Sequence, residues 1–126
     1  MNQEFNGNVK INGNDIALKG STLVASGTFD SDGKILVQAS LLSDGMYMLT
    51  YNNAQCFVYI TSAMLANSGT SPILAPCPCV YQSDGSFRPG TLRISNTSEG
   101  VAFKVIDGQG SPVSAYGVYL FKTNLG

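Results

Sequence analysis

The chain predicts an all-β protein, an antiparallel β-sandwich or jelly roll with a short N-terminal hairpin, and three observations predict it. Asn-Gly and Asp-Gly pairs recur at Asn6-Gly7, Asn12-Gly13, Asp32-Gly33, Asp44-Gly45, Asp84-Gly85 and Asp107-Gly108. Such pairs suit tight reversals because Asn and Asp tolerate positive φ and Gly adopts it freely. The runs between them are rich in β-branched and aromatic residues and tend to alternate apolar with polar. Their spacing, about eight to twelve residues, is that of sandwich strands.

Residues 8–12 and 15–18 read as two very short strands around Asn12-Gly13. Residues 22–29 alternate, with Leu23, Ala25, Gly27 and Phe29 on one face, and residues 34–42 repeat the pattern with Ile35, Val37, Ala39 and Leu41 in register. The two are expected to pair across the Ser31-Asp32-Gly33 turn. Residues 46–52 put Tyr47, Leu49 and Tyr51 on one face, with Asn52-Asn53 as the next reversal. Residues 56–64 are apolar on both faces, as in a central strand or at an oligomer contact. Residues 62–67 could form one or two helical turns. Pro72, Pro76 and Pro78 exclude residues 67–78 from a central strand, leaving a long loop or an edge. Residues 91–95, 101–106 and 116–123 complete the set, the last apolar on both faces through Val118 and Leu120 against Tyr119 and Phe121. No repeat or linker interrupts the chain. It divides into an N-terminal hairpin or attachment segment, 1–20, and a sandwich domain, 21–126.

The 126 residues are enough for one core burying about two-thirds of the unfolded surface. Charged residues are only 12% and the net charge is -1, so a nucleic-acid backbone finds no electrostatic footprint. A neutral surface with few charges favours a symmetric oligomer. No apolar run is long enough to span a bilayer, so membrane insertion is not expected. The opening residues carry neither a basic nor an apolar leader segment, and synthesis in the cytoplasm is the expectation. On that basis Cys56, Cys77 and Cys79 read as reduced thiols serving as small apolar fillers.

Histidine is absent, which removes the commonest general base and the commonest zinc ligand. Asp15, Asp32, Asp44, Asp84 and Asp107 all sit in turns, so no acid–base pair stands out and no catalytic residue is assigned. Cys77-Pro78-Cys79 lacks the two-to-four-residue spacing of zinc ligands. Asp30-Ser31-Asp32-Gly33 opens like a calcium loop, but Lys34 follows and the closing Glu is missing. No metal and no cofactor are expected. Asn96-Thr97-Ser98 reads as a polar turn. Among the six tyrosines, Tyr81 is the best candidate for an exposed recognition aromatic, with Phe87 and Arg88 beside it. That trio is the site expected if the chain is a small carbohydrate-binding β-sandwich.

The opening Phe5-Asn6-Gly7-Asn8-Val9-Lys10-Ile11-Asn12-Gly13-Asn14-Asp15-Ile16 resembles the repeating "NGNVxINGxxI" phrase of bacteriophage tail-fibre, spike and head-fibre proteins. Asp44-Gly45-Met46-Tyr47 before a strand and the aromatic final strand are similar to the knobs of such proteins. The resemblance implies a non-enzymatic virion structural protein, made in the host cytoplasm. It would carry a homotrimeric knob like the tumour-necrosis-factor/C1q jelly rolls. A fibre knob, a spike and a capsid decoration all fit the length. Implied partners are other copies, capsid or tail proteins, and a host-surface glycan. Strands 56–64 and 116–123 are expected to supply the subunit contact, with Val58 and Tyr119 at its centre.

Overall fold

The computed structural model describes residues 10–11, 14–15, 21–51, 54–82 and 84–123. Strands β1 (Lys10–Ile11) and β2 (Asn14–Asp15) pair antiparallel within the segment read as a hairpin. The rest of that segment, including both Asn-Gly turns, lies outside the described residues. Eight strands follow: β3 (Ser21–Thr28), β4 (Lys34–Val37), β5 (Gly45–Tyr51), β6 (Ala54–Ile60), β7 (Ile73–Tyr81), β8 (Phe87–Thr97), β9 (Gly100–Ile106) and β10 (Gly117–Thr123). They form two antiparallel four-stranded sheets, ordered β3-β10-β5-β6 and β4-β9-β8-β7. The chain is therefore an antiparallel β-sandwich.

Period-two burial builds the core. Tyr47, Leu49 and Tyr51 of β5, Val118 and Leu120 of β10, and Cys56, Val58 and Ile60 of β6 turn inward from the first sheet. Ile35, Val37, Ile73, Ala75, Leu92, Ile94, Val101, Phe103 and Val105 meet them from the second. Side chains between these positions turn to the outer faces, where Ala102 alone among the described hydrophobic residues is buried, because successive Cβ atoms on a strand face opposite sides.

Several local expectations are corrected. β3 and β4 do not pair across Asp32-Gly33: β3 pairs with β10 and β4 with β9, so the turn is an arch between sheets. Gly33 is essential to that arch, since its φ is +79° and a Cβ there would lie 2.8 Å from both Pro112 Cβ and the Val113 carbonyl oxygen. β4 stops at Val37 and gives way to a short 3-10 helix, Ala39–Leu41, which leaves Leu41 exposed. Along β3 the alternation breaks at a bulge where Leu120 pairs with Ala25 and Phe121 with Leu23. The extra residue moves Leu23 to the outer face. β6 is an edge strand, so its double-sided apolar character does not arise from central burial.

At the flank where β6 and β7 meet, Cys56 and Cys77 form a disulfide with Cα atoms 4.8 Å apart. This overturns the reading of all three cysteines as reduced thiols; only Cys79 is free, and it is exposed. Both bridged cysteines are inward positions on facing edge strands, so the sandwich itself brings their Cβ atoms together. Of the two expectations for residues 67–78, a long loop or an edge, the edge holds for the part that carries Pro76 and Pro78, since β7 is the edge strand of its sheet. Between the two edges runs helix α1 (Ser62–Asn67), where the Thr61 hydroxyl accepts from the Met64 amide at 3.2 Å and the Asp44 carboxylate accepts from the Ser62 amide.

Candidate functional site

β3 and β10 run antiparallel from Ser21 opposite Thr123 at one pole to Thr28 opposite Gly117 at the other. The second pole gathers the ends of β5, β7 and β9 and the loop from Asp107 to Tyr116. Here a cleft of about 190 Å³ opens between Tyr81, Gln82 and Asp107 on one side and Ser111, Ser114 and Tyr116 on the other. The loop is fixed from both ends. Asp107 Oδ1 accepts from the amides of Gln109 (2.8 Å) and Ser111 (2.9 Å), while Phe29 exchanges backbone hydrogen bonds with Tyr116 and Ala115. Ala115 adopts a φ of 69°, a left-handed conformation uncommon for a residue with a Cβ, and thereby turns the chain into Tyr116.

Two aromatic rings wall the cleft. Tyr81 and Tyr116 stand nearly perpendicular, with centroids 6.4 Å apart. The chain of rings continues outward to Phe87, 5.2 Å from Tyr81, and inward to Tyr51 and Phe29. Gln82 is fully enclosed: its Oε1 accepts from the Gly108 amide at 2.9 Å and its Nε2 donates to the Ser86 hydroxyl. Asp107 is 9% exposed, and its Oδ2 takes no hydrogen bond from any described residue.

Behind the wall lies the Tyr51 hydroxyl, which is buried and has no hydrogen-bond partner among the described residues. Tyr47, two residues earlier on the same face, shows what satisfaction looks like: its hydroxyl accepts from the Ser43 amide and donates to the Ser43 carbonyl. Burial pushes the Tyr51 phenol up to about 12, aided by nearby Tyr116 and Asp107. The Tyr81 backbone opposes this, approaching the hydroxyl without reaching hydrogen-bond geometry.

Of the trio expected from the sequence, Tyr81 lines the cleft and Phe87 packs edge-on against it. Arg88 faces away, 3.6 Å from Asp84. The Asp84 carboxylate is held below the usual range by hydrogen bonds from Ser86, with Arg88 adding a smaller Coulombic pull. Tyr116, Asp107, Ser111, Ser114 and Tyr51 were not assigned to a site, because Asp107 reads as a turn residue and the tyrosines as core. The alternating Asp30 and Asp32 close on Lys34: its ammonium donates to Asp30 Oδ2 at 3.0 Å and Asp32 Oδ2 at 3.3 Å. The hydrogen bonds from Lys34 lower the Asp30 pKa, and the same pair raises that of Lys34.

The outer face of the first sheet is a second feature. Leu23, Phe121, Met48 and Phe57 stand directly opposite one another across all four strands. Tyr119 occupies the next row, opposite Ser26 and Thr50, and Tyr59 pairs with Met46. Leu23, Phe57, Tyr59 and Tyr119 are each about half exposed, at 51–52%. Val58, expected beside Tyr119 at a contact, faces the opposite sheet at 7% exposure, so Phe57 and Tyr59 carry the outward side of β6. The second sheet differs, presenting Lys34, Lys104 and Arg93 in register on its outer face.

Fold and site define an antiparallel β-sandwich with an aromatic polar cleft at one pole and an apolar outer sheet face. Comparison with protein-family models, with curated proteins and with solved structures finds no match.

Proposed function

We propose that this chain is a non-enzymatic knob that assembles with copies of itself, as a homotrimer, on the outside of a bacteriophage virion. In this reading it is a fibre knob, spike or capsid decoration, held to capsid or tail proteins by its N-terminal segment. The observation that carries the assembly is the four-strand row Leu23, Phe121, Met48 and Phe57, flanked by Tyr119 and Tyr59. A contiguous, half-exposed apolar face on a domain with 12% charged residues is the kind of surface that subunit contacts cover. Three further features agree with the reading. The N-terminal phrase resembles that of fibre proteins, the disulfide suits an oxidising exterior such as a virion surface, and β3 begins at the pole opposite the cleft, as an anchored knob requires. For the finer jelly-roll assignment, the outer strand pairs β3–β10 and β4–β9 give support, although the inner strands close as the β5–β6 hairpin and the β7–β8–β9 meander.

Light scattering on the purified protein tests this. The expected mass is three times 13.3 kDa, and Phe57→Lys or Tyr119→Lys should yield monomers that retain their β-sheet circular dichroism. A monomer at micromolar concentration for the unsubstituted chain would overturn the proposal.

A further inference from the structure

The cleft at the far pole is a constructed pocket rather than a gap between loops. It is small, below the roughly 300 Å³ at which drug-sized ligands begin, so it takes one ring and not a chain of them. Its walls combine tyrosine faces with hydroxyls and a carboxylate, whereas the groove beside Met64 and Leu74 is mostly apolar. Two of the polar side chains that line it are enclosed, Gln82 and Asp107. Gln82 is spent on Gly108 and Ser86, whereas Asp107 has committed only Oδ1 among the described residues. The second Asp107 oxygen is therefore an acceptor open to the cleft, and an occupant that supplies hydroxyl donors would satisfy it.

We infer that this cleft binds a single neutral sugar ring, one face against Tyr81 or Tyr116 and its hydroxyls on Asp107, Ser111 and Ser114. A pyranose presents an apolar C–H face to an aromatic ring and hydroxyls around its edge, which is the combination these walls complement. Asp107 Oδ2 accepts from one or two of those hydroxyls as a charge-assisted pair. No lysine or arginine among the described residues lines the cleft, so Asp107 repels a uronate, a sialate or a phosphate at close range. The inference does not rest on the assembly proposal, because the cleft and the apolar face are different surfaces and either can fail alone.

The test titrates the intact chain, and the Tyr119→Lys variant, with the methyl glycosides of glucose, galactose, mannose and N-acetylglucosamine. Glucuronic and sialic acids serve as acidic counterparts. Binding is followed by calorimetry and by amide chemical shifts. The expected result is saturable binding of at least one neutral glycoside, with shifts confined to residues 81–82 and 107–116 in both proteins. Tyr81→Ala and Ser114→Ala should each weaken it by about tenfold or less, and Asp107→Asn should erase the discrimination against acidic sugars. Ser114 is exposed, so its variant tests the site even if Tyr81→Ala fails to fold. Absence of saturable binding by any of the four glycosides, shifts elsewhere, or equal affinity for acidic sugars would overturn the inference.

Discussion

Reduction of the Cys56–Cys77 bridge is the most informative perturbation of this fold. The bridge closes a span of 21 residues between β6 and β7, and the loop-entropy relation gives about 3.3 kcal/mol at 25 °C for a loop of that length. Both cysteine side chains are retained on reduction, so no cavity opens and the cost is mainly this term. For a 126-residue chain the unfolding entropy is about 0.26 kcal/mol/K, which converts the loss into a melting temperature lower by about 13 °C. Calorimetry of air-oxidised protein with and without reductant measures it. A thiol titration in guanidinium provides the control: one reactive thiol, Cys79, is expected before reduction and three after. Three thiols in the oxidised sample, or a melting temperature unmoved by reductant, would refute the reasoning and restore the reduced-thiol picture.

Tyr51 predicts an alkaline limit. Its phenol is raised to about 12 in the fold against 10.0 in the open chain. Its contribution is therefore intact below pH 10 and is lost as pH climbs toward 12, at about 1.4 kcal/mol per pH unit. Comparing melting curves of the parent and Tyr51→Phe from pH 9 to 11.5 isolates this slope, and at pH 7 the variant should be no less stable because it deletes a hydroxyl that has no partner among the described residues. Gly90→Ala would place a Cβ 2.4 Å from the Ile106 carbonyl oxygen and 2.8 Å from Val80 Cγ2. Denaturant unfolding should register a loss of about 1–3 kcal/mol or more, since a backbone carbonyl cannot step aside as a flexible side chain can.

Much of the sandwich was readable from side-chain alternation. Tyr47, Leu49 and Tyr51 face inward together as their spacing says, and the short helix after β6 and the edge position of the proline strand also follow from local chemistry. What alternation cannot say is which strand lies beside which. The Asp32-Gly33 turn has the same residues whether it returns a chain to its own sheet or carries it across to the other, so β3 and β4 were wrongly joined. The single bulge opposite Leu120 then inverted Leu23. The disulfide was hidden for the same reason, because Cys56 and Cys77 become neighbours only once β6 and β7 are known to be facing edges. Of the cleft, Tyr81 was legible from its place by a turn. Asp107 and Tyr116 were not, since each has a sufficient local role and their convergence is a property of the pole.

The pole-to-pole layout also sets how the domain bears force. Both directions out of the sandwich, toward residue 20 and toward residue 124, leave where Ser21 lies opposite Thr123, whereas the cleft is some 20 Å away at the Gly117 end of the same ladder. A tug between something gripped in the cleft and an anchor at the first pole therefore runs along the strands, straining many ladder bonds at once instead of peeling them singly. Should the ladder yield, the bridge between Cys56 and Cys77 keeps its 21-residue span out of the extending chain. At about 3.4 Å per residue, that withholds roughly 70 Å of slack and leaves a shorter tether than the contour length of 126 residues alone would allow.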